Sequence, residues 1–164
     1  MSAIDATISP IGLERLDELR PLWLALHHHH RDLGSAPLVT DDAASWAARR
    51  DVYRTLLAEG EGFLLGAFAD AELVGYAAVR FAPGPDDTFP IGERAAEIYS
   101  LVVAPEAQGR GIGSRLLNAV DELLASLGVV ATSVAAMVEN ADAIRLYQRR
   151  GFEPREVVLW RFRT

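Results

Sequence analysis

Residues 101–117 read LVVAPEAQGRGIGSRLL. An apolar run passes into a glycine-studded loop and then into a stretch of helical character, the arrangement of loops that hold phosphates. Three phosphate loops compete for it. A Walker A loop needs G-x-x-x-x-G-K-[ST]; counting from Gly109, the second glycine falls on Ser114 and no lysine follows. The dinucleotide fingerprint G-x-G-x-x-G fits Gly109 and Gly111, but its third glycine is again Ser114. Glu139 would end the next strand, and only about 25 residues follow it, too few for the remaining parallel strands of a Rossmann domain. The third reading takes the whole of Gln108-Gly109-Arg110-Gly111-Ile112-Gly113. Gly111 and Gly113 lack a Cβ, so the backbone can approach a pyrophosphate closely. The first N–H groups of the helix are unpaired and carry partial positive charge. Arg110 and Arg115 are either phosphate contacts or solvated surface charges.

Outward from this loop the chain reads as alternating elements. Residues 5–11 form a first strand. Leu13, Leu16, Leu19, Trp23, Leu26 and Leu33 recur at helical spacing up to Gly34, with Pro21 marking a kink or a fresh start. A second helix runs from about Thr40 to Glu59, capped by Thr40, Asp41 or Asp42. Residues 62–69 and 72–81 are apolar runs separated by Asp70-Ala71, a hairpin signal. After a loop dense in Pro, Gly and Asp come the strand AEIYSLVVA, the glycine loop and a helix over about 111–127. A strand over 129–138, a helix from Asn140 to Gly151 and a closing strand over 155–164 complete the order. The expected architecture is one domain over 1–164, α+β, with a mixed, mostly antiparallel central sheet of six to seven strands and about four helices on its faces.

Composition sets the outer bounds. With no cysteine, disulfides, thiol nucleophiles and Cys-type zinc sites are excluded. No apolar run approaches the ~20 residues of a membrane-spanning helix. The N-terminus MSAIDATISP has neither the basic nor the apolar region of a secretory signal, so a cytoplasmic location is expected. Sixteen basic against 23 acidic residues give a net charge of −7, which repels nucleic acid and mildly attracts cations.

Two motifs together carry a resemblance. QGRGIG matches Q/R-x-x-G-x-G/A, the acetyl-CoA pyrophosphate loop of the GNAT superfamily of N-acetyltransferases. AEIYSLVVAPEAQGRGIG resembles that family's fourth strand and loop without a gap, and VENADAIRLYQRRGF resembles its fifth strand and following helix. The resemblance is motif-specific over about 95–152 and architectural before that. It implies acetyl-CoA as co-substrate, no metal, and direct acetyl transfer to a primary amine: a small amine, an amino acid or a protein N-terminus. A rival reading is a CoA-binding sensor module that does not catalyse. A homodimer is a family-level expectation.

The resemblance also distributes roles. Residues matching Leu101, Val102 and Val103 hold the pantetheine arm by backbone hydrogen bonds, as an added strand would, and the N–H at Val102 would polarise the thioester carbonyl. Gln108, Gly109, Arg110, Gly111, Ile112, Gly113 and Ser114 would hold the pyrophosphate, and Asn140 would cap its helix and touch the pantetheine arm. Glu97 matches a general-base position and is itself unusual, a carboxylate inside an apolar strand. At ~3.3 Å per residue it lies ~13 Å from Leu101, so it would act through water. The alternative is a strand-edge carboxylate facing solvent. Tyr147 matches the general acid; the alternative is a packed core tyrosine.

The acceptor side is less defined. Four successive histidines, 27–30, turn by ~100° each on a helix and cannot converge on one ion. His27 and His30 are candidates to face the acceptor pocket, with Trp46, Arg50 and Tyr53 of the second helix; Trp46 and Tyr53 read equally well as core. The negative charge, Glu97 and the loop carboxylates Asp86, Asp87 and Glu93 point to a cationic amine. A guanidinium from Arg50 would instead favour an acceptor that also carries a carboxylate or phosphate.

Overall fold

Asp70 and Ala71 both sit at positive φ, 48° and 67°, as a two-residue type I′ turn requires. They join β2 (Gly62–Ala69) to β3 (Glu72–Pro83) in the hairpin expected from sequence. A computed structural model describes residues 5–35 and 39–163; residues 1–4 of the segment read for a leader lie outside the described residues. The hairpin is the middle of a five-stranded sheet of order β1-β2-β3-β4-β5, where β1 is Thr7–Pro10, β4 Arg94–Val103 and β5 Thr132–Val134. All neighbours are antiparallel except β4 and β5, which are parallel.

Four α-helices accompany the sheet. A 3₁₀ stretch, Leu13–Leu19, leads into α1 (Arg20–His30), with Pro21 in its first turn, where a missing N–H costs nothing. Helix α2 (Asp42–Ala58) is capped by Asp41, whose carboxylate accepts the Ala44 N–H at 2.9 Å. Helix α3 spans Ile112–Ser126 and α4 spans Ala141–Arg149, the latter capped by Asn140 and followed by Gly151 at φ 85°. Helices lie on both faces of the sheet. Gly75 and Tyr76 are adjacent in β3 and so face opposite ways: a Cβ at Gly75 would meet Ile112 and Leu116 of α3, whereas the Tyr76 hydroxyl meets Tyr53 of α2. With both faces covered, the middles of β2 and β3 are buried at every position. Helix α3 seals its face with Ile112, Leu116, Leu117, Val120 and Leu124, all buried, each worth ~1.5–3 kcal/mol of burial.

Among the described residues the sheet has five strands, not six to seven. The apolar run 129–138 forms a strand only over Thr132–Val134, and residues 152–163 lie in no strand, with Val157, Val158, Leu159, Trp160 and Phe162 exposed. Strand propensity needs a paired neighbour to be realised, and β5 offers an edge only three residues long.

Candidate active site

Strand β4 carries the site. Its register with β3 pairs Ser100 with Ala78 and Ile98 with Val79, so Tyr99 is the extra residue of a β-bulge. Ala96, Ile98, Ser100 and Val102 are buried, while Glu97, Tyr99, Leu101 and Val103 are half-exposed. The pairing of β4 with β5 runs only from Ala96–Thr132 to Ile98–Val134. Beyond it, Leu101, Val102 and Val103 are paired to Ala77, Tyr76 and Gly75 on one side alone. The backbone groups of Leu101 and Val103 face outward and form an open edge, which an extended ligand can join as a strand would. Those of Val102 face β3, because Ala104, two residues on, donates to the Val74 carbonyl, so the N–H expected at Val102 to polarise a thioester is turned into the sheet. Gln108 lies at the end of this edge, its Nε2 donating to the Val103 carbonyl at 3.1 Å.

The glycine loop follows. Gly109 and Gly111 are both at positive φ, 72° and 82°, and a Cβ at Gly111 would point into open space. Helix α3 begins at Ile112 with no side chain capping its N-terminus, so its first N–H groups remain available to an anion. Ile112 is buried, anchoring the turn, and Gly113 lies within van der Waals reach of Val103 and Leu146. Arg110 Nε is buried with no partner. A diphosphate suits this loop: donors without acceptors, and no carboxylate among its residues 108–114. Arg115, the other arginine read as a phosphate contact, donates to the Ala6 carbonyl.

Helix α4 packs beside α3: Arg150, at its end, reaches Asn118 and Asp121, and Leu146 lies next to Gly113. Asn140 Oδ1 accepts the Ala143 N–H at 3.2 Å. Tyr147 packs edge-on against Phe152 with ring centroids 5.7 Å apart. Burial pushes its phenol up to about 12, so it holds its proton throughout the neutral and mildly alkaline range.

Glu97 is ion-paired. Arg80 Nε and Nη2 reach Glu97 Oε2 at 2.7 and 2.6 Å, and the same guanidinium covers one face of the Tyr99 ring at 4.5 Å. Arg49 of α2 also stacks on the Tyr99 ring, at 4.3 Å, and on Trp23 at 4.0 Å. Beneath it runs a buried chain of hydroxyls. Tyr53 donates to Ser100 at 2.8 Å, leaving its oxygen to accept from Tyr76 at 3.0 Å, and Ser100 donates to the Tyr99 carbonyl at 2.9 Å. Burial raises both phenols above their ordinary value.

The remaining acceptor-side candidates divide. His27 is buried and structural: its Nε2–H donates to the Thr40 carbonyl at 2.8 Å, and its Nδ1 meets Ser45 Oγ, which also accepts from Trp23 Nε1. His28 binds the Asp42 carboxylate. His30 is half-buried; burial, its histidine neighbours and Arg49 hold it below the usual imidazole value. Trp46 and Tyr53 are core residues. Arg50 does not reach this region: its guanidinium pairs with Asp17, Nε to Oδ1 at 2.6 Å. Asp86, one of the loop carboxylates, accepts the Thr88 and Phe89 N–H groups and so closes its own turn. Arg49 is the residue that sequence reasoning missed. Its signal was present, since Trp46, Arg49 and Tyr53 stand at i, i+3 and i+7.

Known proteins share the family and the fold of this chain. The Acetyltransferase (GNAT) family matches residues 23–152. A mycothiol acetyltransferase of Pseudarthrobacter chlorophenolicus is 30% identical over 164 residues, covering 93% of this chain and 47% of the relative. The chain therefore spans under half the length of that relative. A GCN5-related N-acetyltransferase from Ralstonia eutropha superposes with a TM-score of 0.78 at 22% identity, over 96% of this chain and 98% of that one. A predicted acetyltransferase of Clostridium acetobutylicum, solved with acetyl-CoA, gives a TM-score of 0.73 at 15% identity, over 96% of each chain.

Proposed function

The chain belongs to the GNAT acetyltransferase family, and from that premise we propose that residues 1–164 act as one domain that transfers the acetyl group of acetyl-CoA directly to a primary amine. One observation carries the reading: the open β4 edge at Leu101–Val103 leads, through a loop with two left-handed glycines, to the uncapped N-terminus of α3. The edge suits an amide-bearing arm and the helix end suits a diphosphate, in the order in which the two occur in CoA.

In the reaction, a neutral amine nitrogen attacks the thioester carbonyl carbon. The N–C bond forms and the C–S bond breaks. The N–H of Leu101, which faces away from β3, donates to the carbonyl oxygen as negative charge develops there, in place of the Val102 N–H, which is turned into the sheet toward Tyr76. Glu97, through water, takes the proton that the ammonium form must lose; Tyr147 gives its proton to the departing thiolate, and the proton that the nitrogen sheds as the amide forms restores the phenol. Oε1 of Glu97 is the oxygen available for this, because Arg80 occupies Oε2. Gln108 to Ser114 hold the diphosphate, and Asn140 borders the pantetheine arm.

The test is CoA release from acetyl-CoA across a panel of amines, read with a thiol-reactive dye. The chain has no cysteine, so the dye reports CoA alone. Amine-dependent release supports the transferase. Acetyl-CoA binding with no release by any amine would return the sensor reading.

A further inference from the structure

Arg49 is held in a way that leaves its recognition edge unused. Trp23 and Tyr99 stack on its guanidinium at 4.0 and 4.3 Å, and Tyr53 stands at 5.7 Å. Stacked rings satisfy the faces of a guanidinium but not the N–H groups in its plane. Among the described residues only one of those donors has a protein partner, Nη1 to Ser100 Oγ at a long 3.4 Å. Its neighbours Arg50, Arg54 and Arg80 each bind a carboxylate; Arg49 pairs with none among the described residues. In a chain of net charge −7, an arginine kept away from carboxylates by aromatic walls is a selective arrangement.

The arginine also opens onto space. It lines a cavity of about 190 Å³ together with Trp23, Thr40, Ser45 and Tyr99. This is ample room for a carboxylate at the guanidinium edge. The bulge at Tyr99 places this cavity on the active strand, three residues before Val102, ~10 Å along β4. The cavity is held rigid from below by the Tyr76–Tyr53–Ser100 hydroxyl chain, so the guanidinium is presented in a fixed orientation.

We propose that Arg49 is a specificity residue that binds a carboxylate carried by the acceptor, so that the substrates of this enzyme are amino carboxylates and not simple amines or polyamines. That the carboxylate belongs to an acceptor rests on the acetyl-transfer function proposed above; that the cavity binds carboxylate does not. A planar carboxylate matches the open edge of a stacked guanidinium with two parallel N–H···O bonds. The ammonium end of the same molecule would lie toward the open β4 edge and the Glu97 oxygen that Arg80 leaves free.

The experiment uses a series of amino carboxylates from glycine to 6-aminohexanoate, each with its matched carboxamide. Binding is followed by tryptophan fluorescence, since Trp23 touches Arg49, and acetylation is followed separately by CoA release. The expected result is that at least one amino carboxylate binds at least ~10-fold more tightly than its amide, the worth of a charge-assisted pair. Arg49→Met should bring that ratio to about one without changing the affinity for acetyl-CoA. Arg49→Lys, which keeps the charge but not the planar fork, should retain part of it, and decides the matter if the methionine variant does not fold. The proposal is overturned if no member of the series prefers the carboxylate, or if the preference survives in both variants. Arg49-dependent binding without acetylation leaves the cavity assignment standing: it overturns the claim that amino carboxylates are the substrates when some other amine releases CoA, and sinks the acetyl-transfer function when no amine does.

Discussion

Arg80 binds one oxygen of Glu97 and leaves the other open: Nη2 and Nε stand 2.6 and 2.7 Å from Oε2. The pair orients the carboxylate, so a base working through water has a fixed direction from which to accept its proton. Glu97→Gln keeps the shape and removes the base. Its kcat should fall ~10²-fold or more at pH 7, and the gap should narrow as pH rises towards the acceptor's own pKa, where the free amine needs no base. A constant ratio to wild type across pH 7–10 would take the role of base from Glu97.

Tyr147 makes a second, independent prediction. Tyr147→Phe should fold, bind CoA and lose ~10²-fold in kcat. The pH profile is the sharper measurement. Because burial pushes this phenol up to about 12, the proton donor is still present at pH 10, where an ordinary tyrosine is half ionised. The wild-type kcat should show no descending limb near pH 10. A fall centred there, lost in the phenylalanine variant, would mean that the phenol titrates normally and is not buried as described.

Stability at alkaline pH follows from the other phenols. Burial raises Tyr53 and Tyr76, as it does Tyr147. On unfolding they return to ~10, so above that pH the unfolded chain holds fewer protons than the folded one and stability falls as pH rises. Urea midpoints should be flat with respect to these groups below pH ~9 and drop beyond 10. Tyr53→Phe breaks the hydroxyl chain, should cost ~1–3 kcal/mol at pH 8, and should make the alkaline drop shallower. An unchanged drop would assign it to other groups.

Much of the fold is legible in the sequence because it is written in local chemistry. Asp70-Ala71 announces the hairpin, Asp41 and Asn140 announce helix starts, and the glycines of 109–113 announce the left-handed turn that leads into α3. What is not legible depends on tertiary context. Arg49 and Arg50 both fit the stripe set by Trp46 and Tyr53 at i±3 and i±4; only the docking of α2 decides that Arg49 meets Tyr99 while Arg50 turns to Asp17. His27 reads as a polar candidate, yet Thr40 and Ser45 satisfy both its nitrogens, which a linear sequence cannot show. The tail 155–163 has the composition of a strand, but a strand exists only where a neighbour offers an edge.

Calorimetry on Gly111 variants tests whether the N-terminus of α3 holds the diphosphate of acetyl-CoA, as proposed. Gly111 is at φ 82°, so any side chain there adds ~1–3 kcal/mol of backbone strain. Gly111→Ala therefore serves as the control, carrying that strain without charge into a position with no neighbour within 4 Å. Gly111→Glu adds a negative charge beside the uncapped N–H groups. The native chain should bind one acetyl-CoA, a folded Gly111→Ala should stay within ~10-fold of the native affinity, and an equally folded Gly111→Glu should lose ~100-fold or more, on the scale of a displaced charged contact. Equal affinities for the alanine and glutamate variants would contradict that placement of the diphosphate.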